Sequence, residues 1–148
     1  MNLHDLDDVI AAFYASISGT AGGQDWETSK LLLHPDARMV RTRLDEDGKP
    51  IAWSFSVDSY RENTAPLLAG MDFYEVEIAR RTVRFGNVAQ AFSAYEAYDA
   101  PERGKLLKRG MNMIHLYDDG TRWWIMHVIW DDEREGLRIP DRAWFDRD

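Results

Sequence analysis

Two polar residues set in an apolar hairpin are the first candidates for chemistry. Residues 109–133 read as two β-strands joined at Asp119-Gly120, an Asp-Gly pair between apolar runs being a strong hairpin signal. With a two-residue turn, Asp118 opposes Thr121, and counting back sets Asn112 opposite His127. Both would then share a face with Ile114, Leu116, Trp123, Ile125 and Ile129. A histidine in such surroundings has a lowered pKa and stays neutral, able to accept a proton. Asn112 would orient it or bind a substrate carbonyl, with Tyr14 or Arg41 helping to polarise that carbonyl. The simpler reading of the same pair is a mutual hydrogen bond in a closed core.

Three further groupings are chemically plausible. Glu96 shares strand parity with Phe92 and Ala94, and Arg109 on the next strand is its natural ion-pair partner; Tyr95 points the other way. Asp131-Asp132-Glu133 closes the last strand. Three carboxylates there could hold a hard cation, but nothing else has metal-ligand spacing, and the expectation is a solvated strand end with Asp131 at a pocket mouth. Trp53, Phe92, Trp123, Trp130 and the methionines Met111, Met113 and Met126 supply enough aromatic and thioether surface to line an apolar ligand site. Met111 and Met113, with His115 and Tyr117, would equally suit a sheet face buried in a dimer.

Composition narrows the classes. The 148 residues fit one domain, 1–148, large enough for a real core. A formal net charge of −8 disfavours nucleic acid and anionic membrane surfaces as partners. The chain has no cysteine, which removes disulfides, thiolate zinc sites and thiol nucleophiles. No run of about 18 apolar residues exists to span a membrane. The acidic start of the chain does not resemble a signal peptide, so a cytoplasmic protein is expected. No phosphate loop, dinucleotide fingerprint or serine nucleophile elbow is present, and neither a cofactor nor a metal is expected.

The elements that must position these groups follow from periodicity. Leu6, Val9, Ile10, Phe13 and Ile17 recur at helical spacing over residues 5–18, and a second short helix runs from Asp25 to Leu33. Strands are expected at 37–44 and 51–55, and a helix capped by Ser56 to about Leu68. Long strands then follow at 73–85, 88–98, 106–117 and 122–131. The tail keeps Trp144 and Phe145 and should dock on the body. Helices first and sheet last is a segregated α+β order, a curved antiparallel sheet wrapped around N-terminal helices.

That order, with the segments Arg80-Arg-Thr-Val-Arg-Phe-Gly-Asn-Val-Ala, Phe92-Ser-Ala-Tyr-Glu96, Arg109-Gly-Met-Asn112, Arg122-Trp-Trp-Ile125 and Trp130-Asp-Asp-Glu133, resembles the nuclear transport factor 2-like superfamily. The superfamily includes ketosteroid isomerases, scytalone dehydratase and SnoaL-like polyketide cyclases. The resemblance covers roughly residues 5 to 133 and is narrowest to a bacterial group without assigned activity. It implies a cone-shaped α+β (cystatin-like) fold, a homodimer through the sheet, and a small-molecule pocket between sheet and helices. The isomerase catalytic positions fall near Arg41, Phe13 (with Tyr14 beside it) and Ile114, so those roles do not carry over residue for residue. The resulting expectation is a pocket for a small hydrophobic or aromatic molecule. His127, Asn112, Asp131 and Tyr14 would supply the chemistry, and Trp53, Phe92, Glu96, Arg41, Ile114, Leu116, Trp123 and Ile125 the lining. An isomerisation, dehydration or cyclisation fits such a site. Non-catalytic ligand binding and a protein-interaction module are the other readings.

Overall fold

The sheet is the organising element of the computed structural model, which describes residues 1–102 and 104–147. The elements run α1 (Leu6–Ile17), α2 (Trp26–Leu32), β1 (Leu33–Leu44), β2 (Pro50–Phe55), α3 (Val57–Leu68), β3 (Tyr74–Phe85), β4 (Val88–Tyr98), β5 (Leu106–Asp118), β6 (Trp123–Asp132) and α4 (Arg142–Phe145). The six strands are ordered β2-β1-β6-β5-β4-β3. All neighbours are antiparallel except β1 and β6, which pair parallel. The sheet is therefore mixed where the sequence suggested purely antiparallel pairing. Strand β2 and helix α3 each reverse the chain before β3 joins the opposite edge of the sheet, and periodicity alone cannot reveal where β1 will lie.

Helix α1 forms where its residues say it should. The Asp5 side chain accepts from the Asp7 backbone N–H at 2.9 Å, capping the first turn, and Asp7 and Asp8 suit the positive end of the helix dipole. Its apolar stripe, Leu6, Val9, Ile10, Phe13 and Ile17, is buried. That stripe packs on the inner sheet face, against Leu33, Met39, Tyr95, Ile114, Leu116, Trp123, Ile125 and Val128, in one continuous core. Each large side chain so buried contributes roughly 2–3 kcal/mol. Helix α2 is capped by Asp25, which accepts from the Thr28 backbone N–H. Helix α3 opens with a Ser56/Ser59 capping box and lies over the β1 end of the sheet.

The inner face is only half covered by α1. Leu68, Phe73 and Ala97 form a smaller apolar cluster beyond its C-terminal end, and the space between that cluster and α3 stays open. The tail does dock: Trp144 meets Phe92 edge-on with ring centres 5.3 Å apart, and Phe145 is buried. No helix among the described residues is long and apolar enough to cross a membrane.

Because the core depends on α1, Phe13→Ala should cost about 3–5 kcal/mol. Phe85→Ala, at the 86 % exposed tip of β3, should cost about 0.5 kcal/mol or less. Urea unfolding midpoints of the two variants measure the difference.

Candidate functional site

The hairpin of β5 and β6 departs from the simple count in two ways. First, the connection has four residues, with Asp118 paired to Trp123. The Asp119 carboxylate accepts from the backbone N–H groups of Thr121 and Arg122, the Thr121 hydroxyl and Trp124 Nε1, at 2.7–2.9 Å, and so draws residues 121 and 122 out of the ladder. Two extra residues preserve strand parity. Second, β6 carries a one-residue bulge at Met126: Leu116 pairs with Ile125, but His115 pairs with His127. The pairing of β6 with β1 shifts register at the same place. A single inserted residue exchanges the two faces. Asn112 therefore faces Trp130 on the inner side, and His127 lies on the outer face beside His115, ring centres 5.6 Å apart. Burial, and then the neighbouring His115, hold the His127 pKa down. The proposed Asn112–His127 pair does not form.

The inner face instead offers a cavity of about 560 Å³ at the open half of the cone. Its walls are largely apolar: Phe13, Met39, Tyr60, Leu68, Phe73, Val128 and Trp130. Into it are set Glu75, Asn112, Lys108 and Arg41. Glu75, from β3, is 8 % exposed, and Asn112 is 4 % exposed. Burial raises the Glu75 carboxyl pKa from its ordinary value to about 7. The Lys108 ammonium and the Asn112 amide oppose the rise, and the Asp132 charge adds to it. A carboxyl group poised between its two forms at neutral pH is the one group in this cavity suited to both taking and giving a proton.

Behind Glu75 runs a directed chain of hydrogen bonds. Asn112 Nδ2 donates to Glu75 Oε1 at 3.4 Å and to Tyr14 Oη at 3.0 Å. Ser93 gives its only proton to Glu77. The 2.6 Å contact between Tyr14 and Ser93 must then be Tyr14 donating to Ser93 Oγ. Glu77 is held in turn by Arg80 Nε at 3.1 Å, and Arg80 reaches Asp7 on α1. Every member has its proton assigned by its neighbour, which fixes Asn112 and hence one oxygen of Glu75.

No family model matches the chain, and no curated protein matches its sequence. Solved structures do match. The protein of unknown function Rv3472 from Mycobacterium tuberculosis superposes with a TM-score of 0.66 at 19 % identity, over 87 % of this chain and 70 % of that one. A Nostoc punctiforme protein with a cystatin-like fold gives 0.66 at 12 % identity, over 90 % and 96 %. A nuclear transport factor 2-like protein of Salmonella enterica serovar Typhimurium gives 0.64 at 16 % identity, over 88 % and 89 %. The chain has the nuclear transport factor 2-like fold.

Within this nuclear transport factor 2-like cone the sequence-derived candidates separate. Asn112 and Arg41 line the cavity. Tyr14 stands behind it: burial, then the Glu75 charge, push its pKa up, and its proton is committed to Ser93, so it positions Asn112 and does not meet a ligand. Ile114, Leu116, Trp123 and Ile125 are inner-face residues as expected, yet α1 covers them and they belong to the closed core. Phe92 and Glu96 point outward, opposite in parity to Tyr95. Phe92 packs on Trp144, and Glu96 takes Arg109 Nε at 3.0 Å. Asp131 also lies outside, paired with Arg134 at 2.9 Å. Trp53 sits on β2 under Arg43, in a smaller cleft beside the cavity. The last-strand carboxylates are each occupied separately, Asp132 by Tyr95 and Glu133 by Arg109.

Type and spacing single out neither Glu75 nor Lys108, and they name Tyr95 only as facing away from Glu96. Alternation pointed the other way for Glu75: with Glu77 it forms the polar series of β3 against Tyr74, Val76 and Ile78, which reads as a solvated face. Tyr95 lines the cavity and donates to Asp132, while Lys108 lies over the Phe73 and Tyr95 rings at 5.9 and 5.6 Å and 3.8 Å from Asp132. Gly110, paired with Tyr95 across the ladder, permits this approach. A Cβ there would press on the Tyr95 hydroxyl and lie 2.5 Å from the Asp131 carbonyl oxygen.

The raised Glu75 pKa has a stability consequence. The folded state holds the proton more tightly than the unfolded chain, so the contribution is full below the ordinary value of 4.5 and is lost as pH rises through about 7. Glu75→Gln removes this dependence. Across that window the unsubstituted protein should lose up to about 3 kcal/mol that the variant keeps, read from urea midpoints at a series of pH values.

Proposed function

We propose that the protein binds a small apolar or aromatic molecule in the cavity and moves a proton on it through Glu75, in an isomerisation, dehydration or cyclisation. The buried, half-ionised Glu75 carboxyl at an apolar wall carries this reading. In its ionised form the carboxylate takes a proton from a carbon or hydroxyl of the bound molecule. Lys108, the cation acting most strongly on Glu75, then stabilises negative charge left on the substrate. Asn112, itself held by Tyr14, keeps one carboxyl oxygen in place. His127 has no part in this scheme. On the opposite face, half-exposed Met113 and Tyr117 support the pairing of two copies through the sheet.

Proton abstraction next to a carbonyl is observable without knowing the natural substrate. A panel of small aromatic and alicyclic ketones in deuterated water should include members that exchange α-hydrogen for deuterium in the presence of the protein, followed by NMR. Exchange should rise with pH through about 7 and fall by on the order of 10²–10⁴-fold in Glu75→Gln. Saturable binding with no exchange for any member would instead make the cavity a binding site without chemistry.

A further inference from the structure

A second cleft, about 350 Å³, adjoins the cavity and is lined by Arg41, Arg43, Trp53, Phe55 and Asn63. The two spaces share Arg41 as a common wall. Residues 41 and 43 alternate on β1 and so face the same side, with Trp53 directly across the ladder from Arg41. Asn63 arrives from α3. The cleft contains no acidic side chain, in a chain with 26 Asp and Glu against 18 Lys and Arg. Among the described residues neither guanidinium pairs with a carboxylate, whereas Arg61, Arg80, Arg109 and Arg134 each do.

Arg41 is held, but only by neutral groups. It donates to Asn63 Oδ1 at 2.9 Å and to Thr64 Oγ1 at 3.4 Å. Its guanidinium lies 5.6 Å from the Phe55 ring centre and 6.0 Å from that of Trp130. A guanidinium has five N–H donors, so these two bonds leave three for a ligand. Two rings and two acceptors fix its plane in advance, which reduces the entropy lost on binding. Arg43 is exposed and rests over the Trp53 ring at 5.0 Å.

We propose that this cleft is an anion subsite of the cavity, and that the ligand is an amphiphile with an apolar or aromatic body beside Glu75 and a carboxylate held by Arg41 and Arg43. The proposal rests on the reading of the cavity as a ligand site. A planar carboxylate suits the remaining fork of Arg41, and Arg43 adds a second positive charge on the same strand face. Placing the anion at the far side of Arg41 also keeps it away from the Glu75 carboxylate, whose own charge favours a neutral group next to it.

Matched pairs decide it. Naphthoate, biphenyl carboxylate and indole acetate are each compared with the corresponding primary amide, and naphthyl phosphate is added. Equilibrium binding is followed by quenching of tryptophan fluorescence, at about neutral pH and low salt. At least one carboxylate should bind about tenfold or more tightly than its amide. That ratio should collapse to about one in Arg41→Met and fall severalfold in Arg43→Gln, both checked for folding by circular dichroism. Because Arg43 is exposed, its variant keeps the test decisive if Arg41→Met does not fold. Equal affinities for every acid and amide overturn the subsite and leave the cavity reading standing. Persistence of the preference in both variants overturns the assignment to this cleft. Tighter binding of naphthyl phosphate than of naphthoate overturns the choice of carboxylate. Absence of saturable binding across the panel overturns the subsite and the cavity reading together.

Discussion

The seating of α1 in the concave side of the sheet is the constraint on which everything else depends. Its apolar stripe closes one half of the cone, and where the helix ends the other half stays open. Hydrophobic burial is non-directional and would tolerate rotation or sliding of the helix. Directionality comes from polar contacts at two places: Tyr14 with Ser93 and Asn112 deep in the core, and Asp7 with Arg80 at the rim. These tie α1 to β3, β4 and β5. A buried hydroxyl with no partner would cost on the order of 1–3 kcal/mol, so the chain of bonds specifies one helix position against its neighbours.

The same seating sets the charge state of the site. Glu75 lies on the strand at the far edge of the sheet from β2, where a side chain would ordinarily be solvated. Here it is turned inward, beside the smaller apolar cluster and under the open half of the cone. Water is largely excluded while the compensating groups are few: one amide at 3.4 Å and an ammonium acting through space. A full ion pair would have pinned the carboxylate in its ionised form, and complete isolation would have kept it protonated. Lys108 is shared with Asp132 and spread over two aromatic faces, so it does neither.

Much of the architecture was legible in residue order. The amphipathic stripe of α1, the Ser56 cap of α3 and the alternation along β4 lead to elements whose ends agree with the structure within a residue or two. The site was less legible, for a specific reason. Facing residues are inferred by counting across a hairpin, and counting assumes an unbroken ladder. The Asp119 carboxylate lengthened the connection by two residues, harmlessly for parity, but the bulge at Met126 added one and exchanged the faces of the strand beyond it. Asn112 kept its inner position because the inserted residue lies on β6 and β5 runs on without a break, while His127, beyond the insertion on its own strand, lost its inner place. Ile114 and Leu116 were rightly placed inward, yet whether an inward residue meets a ligand or a helix depends on where α1 stops across the sheet, which no local pattern encodes.

Bulges also explain why the inner face carries the polar groups it does. On β3, Glu77 pairs with Tyr95 but Ala79 pairs with Ala94, so Ile78 is the inserted residue. Without it, the inward series Glu75 and Glu77 would continue to Ala79 and Arg81. With it, Arg80 turns inward opposite Ser93 and meets Glu77 within the same strand. One inserted residue thus neutralises the second inward carboxylate of β3 and leaves the first, Glu75, with no guanidinium of its own. Twisting and bending at such positions is what closes a sheet into a cone. In this chain the residues that curve the sheet are therefore the same residues that decide which acid is satisfied and which remains available to a ligand.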